Sequence, residues 1–372
     1  MSLDLIPGGT IGILGGGQLG RMLALAAARL GIKVHIYTDS ASPACEVAAA
    51  HTIAPYDDER ALAEFVNSVD LITYEFENIP APTATKLAES CLVRPGPNVL
   101  GVCQDRLAEK EFLAAAGVAA APYMRVDDAG ALARAIAQIG RPAILKTRRL
   151  GYDGKGQVVV REGADLAVTF RSLGGVPAIL EAVVPFSKEI SVVAARACDG
   201  AFAAYDICEN IHKNHILKST RVPAGVPMDI AVEAVRQTHI IADALDYCGV
   251  LAVEMFVTDA KSGAGQAFAL CVNEIAPRVH NSGHWTLDGA ITSQFEQHIR
   301  AVAGWPLGAT ERFVASKASF VEMENLIGEE VNSWSKVLAD PSAKLHLYGK
   351  EMARPGRKMG HVTRLVKEPG LL

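Results

Sequence analysis

Apolar residues fall along this chain in two rhythms: short unbroken runs that read as buried strands, and positions three or four apart that read as helices. Residues 10–14 form the first apolar run. From Leu19 onward Met22, Leu23, Ala26, Ala27 and Leu30 keep helical spacing, and Gly31 stands where a helix C-cap belongs. Residues 33–37 and 71–77 read as the next strands, the second ending in acidic residues. A helix is predicted near 128–139, strands at 143–145, 158–160 and 178–184, and a long helix at 230–247. Residues 249–257 then read as a buried strand with Glu254 set into it, and 267–275 as its neighbour, carrying Asn273 and Glu274. The turn-rich segment between these two predicts a hairpin. Early strand–helix alternation and a late hairpin make the expected fold class α/β and α+β.

Two places in this pattern carry chemistry. The first is the tract from Lys146 to Gln157, Lys-Thr-Arg-Arg-Leu-Gly-Tyr-Asp-Gly-Lys-Gly-Gln, between two strands. Glycine backbones approach phosphate oxygens closely and present N–H donors, while Lys146 and Lys155 add positive charge. No G-x-x-x-x-G-K-[ST] occurs, so the tract predicts a polyphosphate lid on a fold other than the P-loop. Alone it is unspecific, since most Gly-rich hairpin loops bind nothing. The second place is the late hairpin. A carboxylate inside an apolar strand is costly unless it is paired or bound to a metal. Antiparallel pairing can bring Glu254 and Glu274 onto one face, to share Mg²⁺ with nucleotide phosphates. An Arg partner or a solvated face is the ordinary explanation for one strand glutamate; two on neighbouring strands, after a lysine loop, favour the cation. Ideal alternation sends Asn273 and Glu274 to opposite faces, so both can ligate only if the strand ends or bulges there.

Composition narrows the classes. The chain has 372 residues, half of them hydrophobic and 6% aromatic, enough for more than one domain and a sizeable core. A formal charge of −5 gives no general attraction to nucleic acid or anionic membranes. Seven cysteines, none at C-x-x-C spacing, imply neither a disulfide framework nor a zinc site, and reduced thiols in a cytoplasm are the simplest expectation. No apolar stretch reaches membrane-spanning length, and no secretion signal is expected at the start. Locally the charge reverses: between Lys344 and Lys367 seven Lys or Arg face one acid, Glu351, which suggests an anion site.

Gly15-x-Gly17-x-x-Gly20, with Asp39 about twenty residues on, is also a dinucleotide fingerprint. Read so, it predicts an NAD(P)-dependent oxidoreductase, a reading that leaves the lysine loop and the carboxylate pair without work. The same turn would bind any phosphate at a helix N-terminus. Glu75 and Glu77 lie where open α/β sheets collect ligands, although a solvated strand end explains Glu77 equally well.

Lys146, the loop Gly151-Tyr152-Asp153-Gly154-Lys155-Gly156-Gln157, Glu254 and Asn273-Glu274 resemble the ATP-grasp superfamily. More narrowly, the chain resembles the 5-(carboxyamino)imidazole ribonucleotide synthases of purine biosynthesis. That narrower likeness rests on the string from Gly15 to Met22, on the loop, on the contiguous run from Asn273 to Thr286, and on Arg354 to His361. The resemblance implies a Rossmann-like domain over 1–105, an ATP-grasp lid over 106–208 and a C-terminal ATP-grasp domain with its basic tail over 209–372. It implies ATP contacts at Arg106, Lys146, Gly151 to Gln157, Glu181, Ala182, Val183, Val184, Glu189, His212, Asn273 and Glu274, with Mg²⁺ on Glu254 and Glu274. Plain core is the competing explanation for Val183 and Val184. Gln18, Leu19, Glu75, Asn281, Lys350, Arg357 and Lys358 are the implied ribonucleotide contacts, and Asp153, Lys350 and Arg357 the implied catalytic groups.

The implied reaction consumes ATP and bicarbonate. Bicarbonate attacks the γ-phosphate to give carboxyphosphate, and the amine of 5-aminoimidazole ribonucleotide takes up the carboxyl carbon by way of CO₂. The resemblance also implies a homodimer. Formate-dependent glycinamide ribonucleotide transformylase shares the scaffold and is the alternative within the fold; Gly151-Tyr152-Asp153 and the run from His280 to Trp285 fit the imidazole enzyme better.

Overall fold

The computed structural model describes residues 5–151, 154–258, 270–313 and 319–367. Its first part is a parallel sheet of four strands, β1 (Thr10–Leu14), β2 (Lys33–Thr38), β3 (Ala50–Ile53) and β4 (Leu71–Tyr74), in the order β3-β2-β1-β4. Helices α1 (Gln18–Arg29), α2 (Glu59–Val66), α3 (Ala81–Ala88) and α4 (Pro97–Cys103) accompany it. Helix α1 buries Met22, Leu23, Ala26 and Ala27, the positions its periodicity marked, and Gly31 follows it at φ +72°.

Helix α5 (Arg106–Ala115) leads into a four-stranded antiparallel lid, with β5 (Tyr123–Val126), β6 (Ala143–Thr147), β7 (Gln157–Val160) and β8 (Ala178–Ala182) ordered β5-β8-β6-β7. Helices α6 (Ala129–Ile139) and α7 (Leu166–Ser172) complete it. Val126, Leu132, Leu145, Val160, Phe170 and Leu180 give this part a core of its own.

The remaining strands make one nine-stranded sheet: β9 (Lys188–Arg196), β10 (Phe202–Ala204), β11 (Cys208–Lys213), β12 (Ile216–Val222), β13 (Gly249–Val257), β14 (Leu270–Ala276), β15 (Ser319–Ile327), β16 (Lys344–Leu347) and β17 (Lys358–Lys367). Their order is β14-β13-β9-β11-β12-β15-β17-β16, with β10 beside β9. A division at residue 208 falls inside this sheet, since β9 and β10 precede that residue. Helices α8 (Met228–Ala244), α9 (Thr286–Gly289), α10 (Gln294–Val302) and α11 (Trp334–Leu338) flank it. One continuous core runs from Ile11, Ile13 and Leu23 through Phe295 and Ile299 of α10 to Val193 and Val250. The first part is therefore fused to the large sheet, while the lid stands apart.

The sequence reading is corrected at one pair of cysteines. Cys198 and Cys248 form a disulfide, their Cα atoms 5.0 Å apart; Cys45, Cys91, Cys103, Cys208 and Cys271 remain thiols. Fifty residues separate the pair, and only the antiparallel match of Arg196 with Gly249 brings them together. Spacing along the chain carries no trace of that.

Candidate active site

The two carboxylates stand where the hairpin reading put them. Strands β13 and β14 are antiparallel neighbours with Glu254 directly opposite Glu274. Their connecting residues 259–269 lie outside the described residues. The next pair is Met255 with Val272, so Asn273 is an extra residue, a bulge in β14. A bulge breaks strict alternation and re-aims side chains. Asn273 and Glu274 can thus serve one site with Glu254, the condition that simple alternation denied them.

Burial and the facing Glu274 carboxylate push the pKa of Glu254 up to about 7. Two oxygen-bearing groups that resist sharing negative charge fit a hard divalent cation. Among the described residues no three His, Cys, Asp or Glu converge on one point, so further oxygens would have to come from a ligand such as a polyphosphate. His280 Nε2 lies 3.5 Å from Glu254 Oε1. The Ser282 N–H donates to Nδ1 of His280, which puts the ring proton on Nε2, toward the carboxylate. Burial, with Arg278 and Lys358 nearby, holds His280 well below its ordinary pKa. On β9, Glu189 is hydrogen-bonded to His212 Nδ1 from β11. Burial opposes charge on His212, but that bond and the charges of Glu189 and Glu254 raise its pKa.

The lid contributes Lys146, whose Nζ lies 2.7 Å from Glu181 Oε2, both side chains buried. Burial alone would raise Glu181; Lys146, with Lys110 behind it, holds it below the usual carboxylate range. Ala182 ends β8 and Val183 is 41% exposed, so the core explanation for Val183 does not hold. Val184 is half-buried just beyond it. Gly151, Gly154, Lys155 and Gly156 lie in the turn between β6 and β7, tied down by Thr147 N–H to the Gly156 carbonyl at 2.8 Å, and Gln157 opens β7 opposite Lys146. Tyr152 and Asp153 lie outside the described residues. Arg106, the first residue of α5, bridges lid and sheet. It donates to the Gly151 carbonyl at 3.1 Å and lies 3.6 Å from Glu274 Oε2.

At the end of the first sheet, the buried Glu75 carboxylate accepts the Gly17 N–H at 2.8 Å and the Gly20 N–H at 3.2 Å. Burial raises its pKa, partly offset by those two bonds and by Arg278. Gly15 must be glycine here: its φ is +104°, and a Cβ would meet Glu75 Oε1 at 2.7 Å. Half of the dinucleotide-type cradle is therefore filled by the protein itself. Helix geometry leaves the N–H groups of Gln18 and Leu19 without intrahelical acceptors, open to an anion. Glu77 is no solvated strand end. It pairs with the half-buried Arg278, which holds it below its ordinary pKa against the effect of burial.

The tail reaches the same region through Lys358, whose charge is felt by Glu77, Glu254, His212 and His280. Lys350 Nζ donates to the Lys358 carbonyl at 2.7 Å. Arg357 is held within its own turn, donating to the Met352 carbonyl at 2.9 Å. Asn281 is buried and exchanges side-chain bonds with Asn325, at 3.0 and 2.7 Å. Arg278, His280 and Ser282 had no part in the sequence reading as separate residues, although all three lie within the long run from Asn273 to Thr286.

Residues 9–104 match the ribonucleotide synthetase preATP-grasp domain, 111–295 the ATP-grasp domain, and 322–370 the phosphoribosylaminoimidazole carboxylase C-terminal domain. A protein of Brucella melitensis described as N5-carboxyaminoimidazole ribonucleotide synthase is 50% identical over 365 residues, covering 97% of this chain and 98% of that one. The chain belongs to the N5-carboxyaminoimidazole ribonucleotide synthase family. It is an ATP-dependent ligase built on the ATP-grasp fold, and the oxidoreductase and transformylase readings fall away. A crystal structure of a synthase of this family in complex with ADP superposes with a TM-score of 0.91 at 41% identity, covering 98% of this chain and 94% of that one. The Aspergillus clavatus synthase, solved with ADP and 5-aminoimidazole ribonucleotide, superposes with a TM-score of 0.86 at 28% identity, covering 97% of this chain and 94% of its own.

Proposed function

We infer that this synthase-family chain carboxylates 5-aminoimidazole ribonucleotide with ATP and bicarbonate, giving N5-carboxyaminoimidazole ribonucleotide, ADP and phosphate. The observation that carries the reading is the Glu254–Glu274 pair beneath a lysine-bearing lid, with Arg106 touching both. In this reading ATP lies between lid and large sheet. Lys146, Arg106 and the turn from Gly151 to Gln157 neutralise its phosphates, Glu181 to Val184 border the base, and Glu189 with His212 meets the ribose. Glu254, Asn273 and Glu274 would hold Mg²⁺, which would supply charge neutralisation at the transferring phosphoryl group.

The N–H groups of Gln18 and Leu19 take the ribonucleotide phosphate, and Glu75 and Asn281 fix the substrate beside it. Lys350, Arg357 and Lys358 attract the phosphate and bicarbonate anions. A bicarbonate oxygen bonds to the γ-phosphorus as the bond to ADP breaks; carboxyphosphate then releases phosphate and CO₂. The exocyclic amine bonds to that carbon and loses one proton, for which Asp153 is the acceptor. The chain's share is positioning, charge neutralisation and exclusion of water, since carboxyphosphate hydrolyses readily. The chain divides functionally into the parts before 105, the lid, and the large-sheet domain, with the second boundary between β8 and β9 where the sheets change. No helix among the described residues is long and apolar enough to cross a membrane. A cytoplasmic homodimer completes the reading, and sedimentation at micromolar concentration checks its size.

The test is ADP release from Mg-ATP with the ribonucleotide and bicarbonate added singly and together. Release that needs both supports the reading. Release with glycinamide ribonucleotide and formate instead would overturn the substrate and keep the fold.

A further inference from the structure

The bulge at Asn273 leaves a structural question open, because an extra residue in an edge strand disrupts its hydrogen bonding on both sides. In a regular strand, outward-facing N–H groups come from alternate residues. Along the outer edge of β14 they come instead from Val272, which donates to the Ala119 carbonyl at 2.8 Å, and Ile275, which donates to Glu109 Oε2 at 3.0 Å. Those residues are three apart, the spacing of a strand with one residue too many. Between them, Lys110 Nζ bonds the Asn273 carbonyl at 2.6 Å and the Val272 carbonyl at 3.4 Å. Both side chains are buried, Glu109 4% exposed and Lys110 1%. With Arg106 they occupy positions i, i+3 and i+4 of α5, one face of that helix, and all three meet β14 between Val272 and Ile275.

A buried ammonium and a buried carboxylate are costly side chains to place under a strand. An ordinary apolar contact would pack α5 against β14 without them. What the pair supplies is one donor and one acceptor at the two points where the bulge strands backbone groups. We propose that Glu109 and Lys110 are positioning residues for the cation site: they hold the Asn273 bulge and so keep Asn273 and Glu274 aimed with Glu254. The inference rests on the cation role given to those residues above. It extends that role to two side chains of α5, Glu109 and Lys110, that are given no contact with nucleotide or ion.

The test measures binding directly, by electron paramagnetic resonance of Mn²⁺ titrated into the full chain with ADP present. Lys110→Met should weaken Mn²⁺ about tenfold or more, as loss of a supporting partner commonly does, with metal-free ADP affinity changed less than about twofold. Lys110→Arg, which keeps the donor, should recover most of the affinity. Should Lys110→Met not fold, Glu109→Gln and Glu109→Ala decide. The amide oxygen of Gln can still accept the Ile275 N–H, so Gln should bind Mn²⁺ nearly as the unsubstituted chain does and Ala should not. Folded Lys110→Met or Glu109→Ala with unchanged Mn²⁺ affinity overturns the proposal, as does equal weakening by Arg and Met. Failure of the ligase reading has a different signature: the unsubstituted chain would release ADP without regard to ribonucleotide or bicarbonate, while the Mn²⁺ comparison would still judge the bulge.

Discussion

Glu75 decides what the glycine turn between β1 and α1 can hold. With one oxygen on the Gly17 N–H and the other on the Gly20 N–H, it uses donors that a dinucleotide pyrophosphate would need. Only the first-turn donors at Gln18 and Leu19 stay open, enough for a single phosphate. The motif was legible in the sequence, but its meaning was not, because the residue that fills it lies more than fifty positions away. Glu75→Gln keeps the volume but turns an NH₂ toward one of the two N–H donors. A buried donor left without its acceptor costs about 1–2 kcal/mol, so KM for the ribonucleotide should rise roughly tenfold while KM for ATP stays within about twofold. Steady-state kinetics with each substrate varied in turn checks this. Equal increases in both constants would separate the turn from ribonucleotide binding.

At the scale of elements, α5 joins the lid to the carboxylate strands. Its N-cap Asp105 accepts the Leu107 N–H at 3.0 Å and the Ala108 N–H at 3.4 Å, and also takes two bonds from Arg148, at 2.9 and 2.7 Å. Asp105→Asn keeps the cap and loses the ion pair; Asp105→Ala loses both. The Ala variant should therefore be less stable than the Asn variant by about 1 kcal/mol, the value of a cap, while both raise KM for ATP by loosening the lid. Denaturant unfolding and ATP kinetics on the two variants check the split, and equal stability would remove the cap from the account.

Elements were the most legible level. The periodicity marked α1 and α6 nearly to their ends, and 249–257 matches β13 residue for residue. Two strands were read too long: β4 stops at Tyr74 and β8 at Ala182, just before Glu75 and Val183. The bulge was foreseen only as a condition. Alternation cannot encode an extra residue, and Glu109 and Lys110 resemble any polar pair on a helix.

For the whole molecule, the junction between the first sheet and the large one is what the sequence concealed. His298 of α10 sits fully buried there, its Nε2 2.8 Å from Thr73 Oγ1 of β4 and its Nδ1 accepting the Val250 N–H of β13 at 3.1 Å. Burial lowers its pKa to about 3. The native imidazole is thus neutral while the unfolded one gains a proton below about pH 6.5, so its stabilising effect is full above that pH and is lost as the pH falls toward the folded value. His298→Gln keeps a donor and an acceptor but does not titrate. Its stability deficit at about pH 7.5 should shrink by about 1.4 kcal/mol at about pH 5.5, read from denaturant unfolding at both. A deficit independent of pH would mean that the native imidazole takes up a proton as readily as the unfolded one. The central claim is that bicarbonate itself attacks the γ-phosphate in this site. The most direct measurement is turnover with ¹⁸O-labelled bicarbonate and ³¹P resonance of the phosphate released. The account predicts one ¹⁸O in each phosphate; product formation with unlabelled phosphate would contradict it.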